Sequence, residues 1–238
     1  MKHQNSNITN SEPSLPGGEK PVQFLKSQTD LRGKSVLITG GGTIPMAQQL
    51  KLWGAEPSII VEHEEDLLEL RVLAAGALPI KFMLYEKTDF EAHTFDVVFS
   101  QAAISLPNRG PILKEFKRLL KPGGLLCSSE IVALTNPVPG FVSDMLERAG
   151  IHTLFIDNFL PVYETAGYTL QQLKRDNAAL KDYYRFFKNV NKYHPSSGLD
   201  GYTKKLLKRA GHEATIFMKL GGEKHLTLVT GIFKIVGA

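Results

Sequence analysis

The stretch Val36-Leu37-Ile38-Thr39-Gly40-Gly41-Gly42-Thr43-Ile44-Pro45 constrains this chain more than any other. Three aliphatic residues run into three glycines, a hydroxyl residue and a proline. An apolar run of this kind reads as a strand covered on both faces. Glycines let the backbone turn sharply and approach a ligand with no Cβ in the way. Thr43 is placed to cap a following helix, and Pro45 suits a first helical turn. The first-turn N–H groups of such a helix face whatever lies above the strand end, with the positive end of the dipole behind them. The stretch therefore reads as strand, tight turn and helix, and as a cradle for an anion or a cofactor.

Repetition of that unit sets the fold class. Ser58-Ile59-Ile60-Val61 reads as a second buried strand ending on Glu62, followed by a helix that His63-Glu64-Glu65 open and Leu67, Leu68 and Leu70 anchor. Ile80 to Leu84, reaching Tyr85-Glu86, reads as a third strand. Phe95-Asp96-Val97-Val98-Phe99 reads as a fourth, running into Ser100-Gln101. A helix from Pro111 to Leu120 turns Ile112, Phe116, Leu119 and Leu120 inward. Lys121-Pro122-Gly123-Gly124 stops it, and a fifth strand begins at Leu125. Strands alternating with helices predict an α/β fold, a doubly wound and mostly parallel sheet. Ligands of such sheets bind outside the carboxyl ends of the strands. Thr39 to Gly42, Glu62, Glu86, Ser100, Gln101 and Glu130 all fall on that rim. Glu62 stands about 20 residues past the glycines, where a carboxylate can accept from a ribose diol.

The remaining segments are read as additions to this core. Residues 1–20 are polar and rich in Pro and Gly, which predicts a disordered tail. Residues 135–199 break the alternation and read as an inserted helical cap, with a helix at Phe141 to Arg148 and an aromatic one at Thr169 to Asn189. Tyr183, Tyr184 and Phe187 there read as core packing or as the roof of a substrate pocket. Tyr202 to Ala210 reads as a helix, and Thr215–Lys219 with Leu226–Lys234 as a closing antiparallel pair about Gly221-Gly222. Residues 21–134 and 200–238 thus form the predicted core domain.

Charge and cysteine usage narrow the partners. The net charge of +4 is uneven: residues 151–238 hold 13 lysines and arginines against 7 acids. The excess is spread along helical stretches, which predicts solvated helix faces and argues against nucleic-acid binding. The single cysteine, Cys127, excludes an internal disulfide and a cysteine metal cluster, and sits in an apolar run as a core residue. This suits a reducing compartment, the cytoplasm. No run approaches the roughly 18 apolar residues of a membrane span, and no secretory signal is visible. A homo-oligomer is left open.

In order and motif the chain resembles the class I S-adenosylmethionine-dependent methyltransferases, whose fold is a seven-stranded Rossmann-like sheet. Val36-Leu37-x-x-Gly40-x-Gly42-Thr43 followed by Gly54-Ala55 has the spacing of their first motif. Phe95-Asp96-Val97-Val98, a helix and Leu120-Lys121-Pro122-Gly123-Gly124-Leu125-Leu126 match their fourth strand, helix and fifth strand. Leu207-Lys208-Arg209-Ala210-Gly211 resembles the approach to their closing hairpin. The resemblance covers roughly residues 34–134 and 200–236. It implies S-adenosylmethionine as cofactor, with Thr39, Gly40, Gly41 and Gly42 lining its methionine end and Glu62 taking the ribose hydroxyls. It implies His63 beside the adenine, Glu86 accepting from the adenine amino group, and Ser100 and Gln101 facing the sulfonium side. The family usually has an acid where Ile38 stands and a third glycine where Ile44 stands.

The chemistry so implied is methyl transfer to a small organic molecule, which asks for in-line positioning and exclusion of water. A base is needed only where the acceptor must lose a proton. The candidates are Glu130, His152 and Tyr163, with Tyr168 and His194 behind them. Two other readings compete. The Ile38 and Ile44 departures suit a non-catalytic cofactor-binding or scaffold protein. The opening Leu-x-Gly-Lys-x-Val-Leu-Ile-Thr-Gly-Gly-Gly also suits an NAD(P)-dependent short-chain dehydrogenase. That family's Tyr-x-x-x-Lys pair could only be Tyr184 and Lys188, which come too late and lack an upstream serine.

Overall fold

The computed structural model describes residues 15–40, 43–193 and 201–236. In chain order these form α1 (Lys20–Gln28), β1 (Ser35–Thr39), α2 (Ile44–Leu52), β2 (Glu56–Val61), α3 (Glu64–Ala74) and β3 (Ile80–Phe82). Then come β4 (Phe95–Gln101), α4 (Arg109–Leu119), β5 (Leu120–Ala133), α5 (Gly140–Arg148), β6 (Leu154–Phe155) and α6 (Ile156–Thr165). β7 (Tyr168–Asp176), α7 (Asn177–Tyr193), α8 (Gly201–Lys219) and β8 (Leu226–Ile235) complete the chain. The sheet order is β3-β2-β1-β4-β5-β8-β7, with β6 beside the end of β5. β1 to β5 pair in parallel, and β8 runs antiparallel to both β5 and β7. The α/β class and the mostly parallel sheet are as the sequence predicts; the two-residue β6 is an eighth strand.

Alternation along the strands sends side chains into clusters on opposite faces. Leu37, Val98, Leu126 and Phe233 pack with Ile112 and Phe116 of α4 and Phe159 and Tyr163 of α6. Val36, Ile38, Val97, Phe99 and Cys127 pack with Val22 and Leu25 of α1, Leu50 of α2 and Leu70 of α3. Ile131 and Leu228 pack with Met145 of α5, Leu180 of α7 and Phe217 of α8. Cys127 is fully buried, as expected of a core residue.

Several local expectations are corrected. Tyr168–Asp176 is a strand, where the sequence reading had a helix from Thr169, so part of the stretch set aside as a helical cap is an edge strand of the sheet. Most of its side chains are exposed, and Gln171-Gln172 carry a register irregularity, so its apolar alternation is too weak to read. Thr215–Lys219 continues α8 and is not a strand; the partner of β8 is β7. Tyr184 is buried against Phe217, with ring centroids 4.6 Å apart, so these aromatics serve packing. Leu68 is 65% exposed and leaves the anchoring of α3 to Leu70 and the partly buried Leu67. Leu15 to Glu19, assigned to the tail, form an ordered turn whose Gly18 N–H donates to Leu15 O.

The Leu-Lys-Pro-Gly-Gly segment has a specific structural job. Pairing of β4 with β5 jumps from Phe95–Leu120 to Val97–Leu125, so residues 121–124 bulge from the ladder. Gly123 has φ +77°, and a Cβ on Gly124 would lie 2.9 Å from Lys121 O and 3.1 Å from Asp96 O. The bulge lets Lys121 reach Asp96 at 2.7 Å, while Asp96 also accepts from Lys34 at 3.3 Å, from the Ser35 amide at 3.0 Å and from the Ser35 hydroxyl at 2.8 Å. Burial pushes the Asp96 carboxyl up, but these bonds outweigh it and hold it well below the ordinary 3.8. Its stabilising contribution is therefore present above that ordinary value and lost as pH falls toward the folded value. Asp96→Asn is expected to cost about 1–2 kcal/mol in urea unfolding at neutral pH, with the difference shrinking in acid.

Candidate active site at the carboxyl rim of the sheet

The rim is built where β1, β2 and β4 end side by side. Thr39 closes β1 opposite Ser100 of β4, and both are completely buried. Gly40 follows with φ +107°, a conformation that glycine adopts without strain, and its N–H donates to Ile60 O at 3.0 Å. A Cβ on Gly40 would meet the Tyr85 hydroxyl at 3.9 Å. Gly41, Gly42 and His194 lie outside the described residues. Thr43 takes the capping position of α2, yet its hydroxyl turns back to Gly40 O at 2.9 Å and does not cap the helix. That bond ties the start of α2 back to the end of β1. Ile44 and Pro45 open the helix.

Among the described residues, three polar atoms on this rim are buried without a hydrogen-bond partner: Thr39 Oγ1, Ser100 Oγ and Gln101 Oε1. Buried polar atoms are nearly always paired, because leaving one unpaired costs about 1–3 kcal/mol. Three such atoms on adjoining strand ends mark a place where a ligand or bound water supplies the missing partners. The other end of the Gln101 amide is engaged: Nε2 donates to Pro16 O at 2.5 Å. The turn before α1 therefore lies against the rim.

Glu62 follows β2 and is half-buried, accepting from the Tyr85 amide at 2.6 Å. Burial is the main cause pushing its carboxyl above 4.5; the Tyr85 amide opposes it and Glu86 adds to it. His63 is exposed at the start of α3. Glu86 is half-buried and accepts from the Asn108 side chain ahead of α4. It also lines a groove with Lys114 and Arg118 of α4. Tyr85, which the sequence reading passed over, is 7% exposed between Glu62 and Gly40. Its only sequence signal is an aromatic residue at the end of a strand.

The proposed bases sit differently. Glu130 is fully buried and accepts from Ile104 N at 3.3 Å, Ser105 N at 3.1 Å, Ser105 Oγ at 2.7 Å and Ser128 Oγ at 2.9 Å. Ser128 Oγ in turn accepts from the Tyr163 hydroxyl at 2.8 Å. Burial pushes Glu130 up to about 7 and Tyr163 well above 10.0. Tyr163 stacks on Phe233 at 4.0 Å. His152 is exposed on a loop, where its backbone N–H donates to Ser105 O at 2.7 Å. Tyr168 donates to Leu113 O at 2.8 Å, beneath α4. The structure thus joins Glu130 and Tyr163 in one network and leaves the His152 side chain apart from it. A groove of about 840 Å³ runs between α4 and α6 past Arg109, Leu113 and Val162, and none of the cofactor candidates line it.

Comparison with known proteins agrees with this arrangement. Residues 40–128 match the model of a methyltransferase domain. A methyltransferase of Streptomyces halstedii, GfsG, is 27% identical over 177 residues, 68% of this chain, and the chain spans 63% of that relative's length. Phosphoethanolamine N-methyltransferase 2 of Haemonchus contortus, solved with S-adenosyl-L-methionine, superposes with a TM-score of 0.76 at 14% identity, over 94% of this chain and 54% of that one. The [4+2]-cyclase SpnF superposes with a TM-score of 0.75 at 14% identity, over 97% and 88%. The two structures share the fold, and the domain match adds the sequence of the glycine turn through β5. In its sheet order and in the bulge that follows α4 the chain has the fold of these S-adenosylmethionine-dependent methyltransferases, and residues 40–128 are similar in sequence to a methyltransferase domain.

Proposed function

We propose that the protein transfers a methyl group from S-adenosylmethionine to a small organic molecule. The observation that carries this reading is the set of three unpartnered oxygens, Thr39 Oγ1, Ser100 Oγ and Gln101 Oε1, beside Gly40 and Glu62. They suit the ammonium and hydroxyl donors of an adenosyl amino acid. Ile38 and Ile44 share one apolar cluster, so the position where the family carries an acid is dry here. The neutral oxygens of Thr39, Ser100 and Gln101 would then receive the ammonium in its place. Glu62 would hold the ribose and Tyr85 would wall the adenosine. The cofactor supplies an activated methyl on sulfur; the chain's residues orient it and keep water out. The turn at Pro16 lies against Gln101, which favours an acceptor small enough to fit beneath it.

Titration with S-adenosylhomocysteine tests the reading. At a hundred times its dissociation constant the ligand is expected to raise the melting temperature by about 5–10 °C. NADP under the same conditions is expected to leave it unchanged. No shift with S-adenosylhomocysteine defeats the reading, and a shift with NADP alone supports the dehydrogenase. The [4+2]-cyclase among the structural neighbours shows that this fold also serves other chemistry. Binding without methyl transfer to any of a broad panel of acceptors would favour a non-catalytic or non-methylating role.

A further inference from the structure

We propose that Glu130 is a positioning residue that couples its own ionisation to opening of residues 102–108, the loop between β4 and α4. This loop continues directly from Ser100 and Gln101 and bonds to Glu130, which is completely buried. Three of the four hydrogen bonds to the carboxyl come from the loop: the Ile104 amide, the Ser105 amide and the Ser105 hydroxyl. The fourth comes from Ser128 on its own strand. The loop is also tied to the far side, since Ser105 O accepts from the His152 amide and His152 O accepts from Arg109. Ala102, with φ +66°, starts the loop and donates to Ser129 O at 2.9 Å.

What the carboxyl lacks is a cation. Among the described residues, the groups facing it are Tyr163 from α6, Ser105 and Ile104 from the loop, and Ser128 from β5, with Tyr168 of β7 behind Tyr163. Across the loop the His152 amide donates to Ser105 O, and the Arg109 guanidinium is engaged with the His152 carbonyl. A buried carboxylate stabilised only by neutral donors gains hydration whenever the loop lifts. In the neutral form one oxygen still accepts from the amides, and the proton is donated to a serine hydroxyl.

The sign follows from linkage. The closed form binds its proton up to about 7, whereas a hydrated glutamate loses it near 4.5. Between those values the closed loop holds more protons than the open one, so raising pH favours opening, and above about 7 the effect levels off. The loop forms the wall next to Ser100 and Gln101, so its opening governs access to that end of the rim. That last consequence rests on the methyltransferase reading; the coupling itself does not.

Amide hydrogen exchange, corrected for intrinsic rates, tests the coupling on the full-length protein. Protection of the Ile104 and Ser105 amides is expected to fall at least about tenfold between about pH 5 and about pH 7.5, then to level off. Glu130→Gln is expected to flatten the profile. Ser105→Ala removes a bond that favours the carboxylate, so it is expected to move the levelling point up by about one pH unit while the slope remains. A flat profile in the unaltered protein, or an unchanged slope in Glu130→Gln, overturns the proposal. If that variant does not fold, an unmoved levelling point in Ser105→Ala overturns it instead. Calorimetry with S-adenosylhomocysteine on the same samples keeps the two ideas apart: a pH-dependent loop without ligand binding defeats only the functional reading, and ligand binding with a flat profile defeats only the coupling.

Discussion

Glu62→Ala is expected to weaken S-adenosylhomocysteine binding by on the order of a hundredfold, because a carboxylate that accepts from a ribose diol makes two charged hydrogen bonds. On the proposed reading this side chain would meet the diol; it is half-buried after β2 and held by the Tyr85 amide at 2.6 Å. Alanine also leaves that amide unpaired, so part of the loss could come from a displaced Tyr85. Glu62→Gln separates the two effects: its amide oxygen still accepts from Tyr85, while the charge is gone, and a loss of about tenfold is expected. Burial raises the Glu62 carboxyl above 4.5, so the carboxylate is lost as pH falls through that raised value, and affinity should fall with it. Calorimetry at several pH values measures all three. An alanine variant within about twofold of the unaltered protein would remove Glu62 from the site.

The rim was readable because its parts depend on local pattern. An apolar run into glycines specifies a buried strand and a turn wherever it occurs, and Thr39, Gly40, Glu62, Ser100 and Gln101 follow by counting along successive strands. Tyr85, Ser105 and Ser128 were not readable in the same way. Their roles depend on which residues other strands and loops bring to them, and a serine in a loop carries no sign of facing a carboxyl 25 residues on. β7 failed for a different reason. Its side chains are mostly exposed, so neither a period of 2 nor one of 3.6 stands out, and the aromatic helix that follows dominates the window. The Thr215–Lys219 segment misled through β-branched and aromatic residues that serve instead as one buried face of α8, with Ile216 and Phe217 inward. The two departures from the family's first motif have a joint account that either alone lacks: Ile38 and Ile44 lie in one apolar cluster, so an apolar floor under an apolar first turn replaces an acid beside a glycine.

Gly231→Val is expected to cost about 2–3 kcal/mol, the upper part of the range for forcing bulk into a packed core. Gly231 lies in β8 between Ser128 of β5 and Leu173 of β7. A Cβ there would stand 2.3 Å from Phe233 Cε2 and 2.5 Å from its Cζ, because the Phe233 ring folds back over the glycine. The ring is fully buried and resists displacement on one side, where it stacks on Tyr163 with centroids 4.0 Å apart and planes 11° from parallel. Tyr163 donates to Ser128 Oγ, and Ser128 donates to Glu130. Displacing Phe233 therefore reaches the buried carboxyl through two hydrogen bonds, and the strand glycine is part of what holds the Tyr163–Ser128–Glu130 network in register. Urea unfolding of Gly231→Val, Phe233→Leu and the double variant tests this. Leucine vacates the space that valine needs, so the double variant should be less destabilised than the sum of the singles by about 1 kcal/mol or more. Strict additivity would show that the cost of valine arises elsewhere in β8 and that the aromatic stack does not rest on the glycine.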